Sequence, residues 1–192
     1  MLSLGCGTGA TEIHLRHLGA QVVGIDVSAD AIAIAKMRIQ HAIVADIEQD
    51  PLLHLESRSF DLILCGDVLE HLRFTEYVLD RIRGWLAPDG HFIVSVPNAT
   101  HHTLLRQLVL YRNWKYEDSG LFDRGHYRLF TRKSLVRMLG EHGFLIEAVT
   151  FIRPISKKIV LVWWLLKPLI WLCPFLNEYF VQTWTVRARA VP

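Results

Sequence analysis

Leu2-Ser3-Leu4-Gly5-Cys6-Gly7-Thr8-Gly9 opens the chain with apolar strand residues that run straight into glycines at alternate positions. Thr11-Glu12-Ile13-His14-Leu15 then starts a helical pattern. Glycine is the residue that lets a strand turn this sharply into a helix and lets a ligand touch the backbone. The next strand, Val22-Val23-Gly24-Ile25-Asp26, ends in a carboxylate. An acid at the carboxyl end of the strand beside a glycine loop accepts both hydroxyls of a ribose. Loop and acid together describe a pocket for an adenosine-bearing cofactor.

Outward from that unit, strand and helix patterns alternate, which predicts a parallel sheet with right-handed crossovers. Strands are expected at residues 1–4, 22–26, 43–46, 60–65 and 90–96, mostly as continuous apolar runs, as suits a sheet covered on both faces. Helical patterns fill 11–18, 28–38 behind a Ser28 cap, 67–84, and 131–141 between a Thr131 cap and Gly143. Residues 144–152 and 183–190 alternate with period two and predict a closing antiparallel hairpin. In such a sheet the ligand sits beyond the carboxyl ends of strands one, two and four.

Bulk composition agrees. A chain of 192 residues that is 51% apolar makes one domain with an ample core. Its 3 cysteines show neither metal nor disulfide spacing, which points to a reducing, cytoplasmic setting. Cys6 in the loop and Cys65 at the end of a buried strand read as small core residues.

Gly5, Gly7 and Ala10 satisfy the dinucleotide fingerprint, so a nicotinamide-dependent oxidoreductase stays open on that motif alone. The glycine loop followed by Gly24-Ile25-Asp26 resembles motif I and its successor in class I S-adenosylmethionine-dependent methyltransferases. Later segments resemble the same family in order. Ala45-Asp46-Ile47 is similar to its adenine-reading acidic loop. Phe60 to Leu72 is similar to its fourth strand and the helix beyond, and Leu86-Ala87-Pro88-Asp89-Gly90 to Pro97 resembles its turn into strand five.

The resemblance covers residues 1–150. It implies an α/β, doubly wound, mostly parallel seven-stranded sheet of Rossmann-like methyltransferase type, ending in the antiparallel hairpin. It also implies S-adenosylmethionine as cofactor. Gly5, Cys6, Gly7, Thr8 and Gly9 would run under its amino-acid end, with Asp26 and Val27 at the ribose. Asp46 and Ile47 would hold the adenine, and the Gly66 backbone the methionyl group. Two features depart from the family. The family carries a helix ahead of strand one, whereas Met1 is already in the strand, so the expectation is either a truncated sequence or a cofactor held more loosely. The acid the family places two before the first glycine is Ser3. A cofactor-binding but inactive methyltransferase-like subunit is therefore the alternative to an enzyme.

A sulfonium is already an activated methyl donor, so catalysis is mainly alignment of a nucleophile. A hydroxyl acceptor also needs a base or a metal to take its proton. Asp123-Arg124-Gly125-His126-Tyr127-Arg128 resembles the His-containing stretch of O-methyltransferases related to the ubiquinone-pathway enzymes. Two readings of His126 stand: a general base, or a residue that fixes its loop by hydrogen bonds to Asp123 or the backbone. Asp67, Glu70 and His71, at i, i+3 and i+4, are expected on one helix face. Their pattern resembles the Glu-x-x-Glu-His metal site of ubiquinone-pathway and small-RNA methyltransferases. That implies a divalent Mg, Mn or Zn ion and a catalytic part for His71; the alternative is acids complementing a helix dipole. His101-His102 read as a solvated helix start or as cleft lining. Tyr111, Trp114 and Tyr116, interleaved with Arg112 and Lys115, predict a lid over the acceptor, and no nucleic acid is expected.

The acceptor expected is a small molecule, a sugar or a lipid-linked compound, the 121–131 stretch also resembling methyltransferases of bacterial glycan and lipid metabolism. Residues 153–181 form an apolar insert between the last two strands, with runs at 159–166 and 169–172 broken by Lys167-Pro168. Neither run reaches the ~20 residues of a bilayer span, so two short helices are expected. Residues 151–192 carry Arg153, Lys157, Lys158, Lys167, Arg187 and Arg189 against Glu178 alone. Tryptophans beside lysines on an apolar segment suit peripheral contact with the inner face of an anionic membrane. A homodimer contact or a cap over an apolar acceptor are the other readings of the insert.

Overall fold

Five strands lie parallel because each is joined to the next by a crossover rather than a hairpin: β1 (Leu2–Leu4), β2 (Val23–Asp26), β3 (His41–Val44), β4 (Phe60–Gly66) and β5 (Leu86–Pro97). β6 (Phe144–Ile152) and β7 (Thr183–Ala190) close the sheet as an antiparallel pair, β7 also running antiparallel to β5. The sheet order is β3-β2-β1-β4-β5-β7-β6. The computed structural model describes residues 1–52, 55, 59–152 and 173–191. The expected fold class holds, with the parallel strands displaced by a few residues; β3 begins at His41 rather than at residue 43.

Leu2, Leu4, Ile25, Ile63, Phe92, Val94 and Val186 are sealed from solvent in the main core. Side chains of this kind each contribute about 1.5–3 kcal/mol on burial. Val78, Leu79 and Ile82 of α3 (Thr75–Trp85) join the same core. Leu135 and Leu139 of the last helix, Arg132–Glu141, do so too. A smaller cluster forms where Ile32 and Ala35 of α2 (Ala29–Ala35) meet Cys6, Val22 and Ile39. The Ser28 hydroxyl caps α2 by accepting from Ala31 N–H at 3.2 Å, and Thr131 caps the last helix in a reciprocal box with Ser134.

The helix expected over 67–84 is broken. A single 3-10 turn, Leu69–His71, precedes α3, and Leu72 is extended between them. Asp67 has φ +52°, a left-handed conformation that cannot start an α-helix. Asp67, Glu70 and His71 therefore do not share a helix face. α1 (Glu12–His17) is shorter than its pattern, and α4 (His102–Val109) adds a helix after β5, making the last helix α5. His101 precedes α4 as a helix start, but it is buried rather than solvated.

The apolar runs at 159–166 and 169–172 lie outside the described residues. The chain is described again from Cys173, and a 3-10 segment, Pro174–Phe180, leads into β7. Asn98 Nδ2 donates to the carbonyls of Glu178 and Val181, each at 2.8 Å, and Arg132 pairs with Glu178 at 2.8 Å. No helix among the described residues is long and apolar enough to cross a membrane.

Candidate active site

At the carboxyl end of β1 the chain turns through the glycine loop. Gly5 has φ +67° and Gly7 φ +51°. A Cβ on Gly5 would come within 2.3 Å of Val68 Cγ2, so space and backbone both demand glycine there. Gly5 and Cys6 N–H donate to Ile25 C=O at 2.8 and 3.0 Å, which pins the loop to β2. Asp26 holds it from the side: its Oδ2 accepts from Gly7 N–H at 2.7 Å and its Oδ1 from Ser28 N–H at 2.9 Å. Each carboxylate oxygen keeps a further lone pair for a ligand hydroxyl.

In front of the loop opens a cleft of about 380 Å³. Gly5, Asp26, Val27, Asp46, Ile47 and Gly66 all line it, brought together from four strand ends. Cys6, Gly7, Thr8 and Gly9 do not line it; they shape the loop instead. Cys6 packs behind it, and the Thr8 carbonyl and hydroxyl both accept from Arg38 at 3.0 Å. The Asp46 carboxylate folds its own turn, accepting from Glu48 N–H at 2.8 Å and Gln49 Nε2 at 2.6 Å. Two larger clefts lie at the opposite, amino ends of the strands, around Val23 and His41 and around Leu86 and Ala190, away from this chemistry.

A second cavity of about 200 Å³ adjoins the first and shares Asp67 and His71 with it. Glu70, Asp123 and His126 line its walls. Glu70 is buried, and neither carboxylate oxygen has a hydrogen-bond partner among the described residues. Burial pushes its carboxyl up to about 8, and the charges of Asp67 and Asp123 push the same way. The His71 ring meets His126 edge-on, centroids 4.7 Å apart. His71 Nδ1 lies 3.0 Å from Gly125 C=O, and because a carbonyl only accepts, Nδ1 is the donor of this bond.

The loop carrying His126 is tied down by backbone. His126 N–H donates to Asp123 C=O at 3.2 Å, and the N–H groups of Tyr127 and Arg128 donate to Glu70 C=O at 2.8 and 3.1 Å. Its imidazole Nδ1 is buried without a partner among the described residues. Burial holds the ring below its usual range, the nearby His71 adds to this, and Asp123 opposes it.

The methyltransferase-domain family matches residues 1–149. The chain belongs to the class I S-adenosylmethionine-dependent methyltransferases. That sets aside the nicotinamide alternative. Over 117 residues the chain is 34% identical to a ubiquinone biosynthesis O-methyltransferase of Nitrobacter winogradskyi, covering 60% of this chain and 40% of that protein. A protein of the same name from Cupriavidus pinatubonensis is 30% identical over 113 residues, covering 57% and 45%. The chain thus spans less than half the length of these curated relatives. The fold matches an S-adenosylmethionine-dependent methyltransferase from Mesorhizobium loti with a TM-score of 0.66 at 22% identity, covering 98% of this chain and 89% of that one. One from Archaeoglobus fulgidus gives 0.69 at 18%, covering 97% and 84%.

Among the described residues the metal-capable group is Glu70, His71 and His126, whose ligand atoms lie within 4.8 Å of one another. Asp67 stands outside that group, its Oδ1 accepting from Ser95 Oγ at 3.1 Å. His101 and His102 do not line the second cavity. Burial pushes the His101 ring down to about 4, and His102 rests against Phe180. Trp114 packs on Phe122 at 5.3 Å, while Tyr111 and Tyr116 stay exposed beyond the cavity wall. Val68 and Leu72, at the end of the Phe60 to Leu72 stretch, also line the first cleft, while Glu48 there and Gln182 and Thr183 in the second are marked by no motif.

Proposed function

We propose that this chain transfers a methyl group from S-adenosylmethionine to an oxygen of a small molecule, sugar or lipid-linked acceptor. The observation that carries this reading is the shared wall. Asp67 and His71 line both cavities, so a ligand filling the first ends where a second ligand in the other begins. Bound in the first, S-adenosylmethionine supplies a methyl group on a positive sulfur, and transfer leaves S-adenosylhomocysteine. Asp26 holds the ribose hydroxyls, and Asp46 and Ile47 flank the adenine. The glycine loop and the Gly66 backbone carry the amino-acid end. His126, held neutral by burial, takes the proton that the acceptor hydroxyl loses as its oxygen bonds the methyl carbon. The apolar runs between β6 and β7 favour a lipid-linked member of the acceptor class, met by peripheral contact with an anionic membrane.

Labelled S-adenosylmethionine incubated with the protein and a cell extract should yield a labelled product with an oxygen-methyl linkage. S-adenosylhomocysteine, and not NAD, should raise Tm. Cofactor binding with no labelled product from any extract would move the reading to an inactive cofactor-binding subunit.

Glu70, His71 and His126 also fit a divalent ion. Among the described residues Glu70 is buried with both oxygens unpartnered and His126 Nδ1 has no partner, which supports a cation as their shared partner. One carboxylate and two imidazoles suit Zn or Mn better than Mg, and such an ion would lower the acceptor hydroxyl's proton affinity. Native mass analysis should show an ion on the wild type that Glu70→Gln loses. A wild type without metal, whose turnover ignores chelators, would leave His126 to act alone.

A further inference from the structure

Behind the glycine loop lies a charge that the reading above does not use. Glu12 follows the loop at the start of α1 and is only 4% exposed. Its Oε1 accepts from the buried Ser3 Oγ at 2.7 Å. Its Oε2 is buried with no partner among the described residues. A carboxylate out of water with one oxygen unanswered is unfavourable unless a positive charge nearby compensates it.

The position of the pair says which charge that is. Ser3 stands in β1 just before Gly5, which lines the first cleft. Ile13 N–H donates to Gly9 C=O at 3.1 Å, binding the helix of Glu12 to the far end of the same loop. The Ser3–Glu12 bond therefore bridges the two ends of the loop from the back. Cys6 lies in the same surroundings: burial, and after it the charges of Glu12 and Asp26, push its thiol up to about 12. Through its bond to Ser3 the carboxylate of α1 reaches the end of β1, just before the first glycine of the loop.

We propose that Glu12 is the counter-charge for the ammonium group at the amino-acid end of the cofactor, with Ser3 as the residue that positions it. This rests on the S-adenosylmethionine reading and deepens it. The carboxylate acts across the loop backbone, as a positioning and electrostatic residue rather than a catalytic one.

The test compares ligands with and without that ammonium, by titration calorimetry on the full chain. Glu12→Gln keeps the shape, and its amide oxygen still accepts from Ser3, so a purely structural role would leave both affinities unchanged. The expected result is a loss of about tenfold or more for S-adenosylhomocysteine. For 5′-methylthioadenosine, which lacks the amino-acid end, the affinity should stay within about twofold. Ser3→Asp added to Glu12→Gln returns an acid to the same contact and should recover most of the loss. Equal losses for both ligands, no loss for either, or a double variant as weak as Glu12→Gln would overturn the proposal. A wild type that binds neither ligand would overturn the cofactor reading first.

Discussion

Asp26→Ala is expected to weaken S-adenosylhomocysteine binding by roughly a hundredfold or more. A charged acceptor of two ribose hydroxyl bonds contributes about 1.5–3 kcal/mol for each, and even the lower figure for both comes to about 3 kcal/mol. The structure adds a second cost. Asp26 Oδ2 is the partner of Gly7 N–H and Oδ1 that of Ser28 N–H, so alanine also removes one tie of the glycine loop, leaving the backbone bonds of Gly5 and Cys6 to Ile25 to hold it. Asp26→Asn separates the two effects. Its amide oxygen can hold the loop, but the charge and one acceptor are gone, so its affinity should fall between wild type and alanine. Calorimetry with S-adenosylhomocysteine measures all three. An alanine variant that binds like wild type would remove Asp26 from the ribose and the cofactor assignment with it.

What was legible in the sequence follows the range of the forces involved. Strand, glycine loop and second strand are local: the turn needs glycines, the strands need continuous apolar runs, and the acid ends a strand, so residues 2–26 declare themselves. The hairpin shows in the period-two alternation of β7, where Trp184, Val186 and Ala188 are buried between more exposed neighbours. Its other strand, β6, is mostly exposed and shifts register between Ile146 and Ala148. The segment after β4 departs from its helical pattern because its conformation is set from far away. Asp67 takes a positive φ and bonds Ser95, and His71 bonds Gly125 across 54 positions of sequence. A spacing of i, i+3, i+4 looked like one helix face and was a turn clamped by a distant loop. The same clamp is why Glu70 and His71 were found together while His126, not Asp67, completes their group. Glu12 was invisible for a related reason. A helix-starting glutamate normally reads as a solvated partner of the helix dipole, and only the fold shows it sealed against Ser3.

His126→Ala is expected to lower kcat for methyl transfer by about a hundredfold to ten-thousandfold, the range a positioned general base contributes. Affinity for S-adenosylhomocysteine should stay within about twofold, because His126 lines the second cavity and not the first. Backbone bonds hold its loop, through the N–H groups of residues 126, 127 and 128, and alanine keeps every one of them. The loss is therefore chemical and not a collapse of the loop. Acid titration gives the second signature. Burial places the His126 ring below its ordinary value, so the neutral form that accepts a proton dominates at pH 7 and is lost only on acidification. Wild-type kcat should accordingly be level near neutrality and fall as the pH drops through that lowered value. In the alanine variant this acid limb should disappear along with most of the rate. Single-turnover measurements with a saturating acceptor, across pH, test both features. A variant that keeps kcat within about threefold of wild type would show that the proton leaves by another route, with Glu70, protonated up to about pH 8 by its burial, poorly placed to provide it at neutrality.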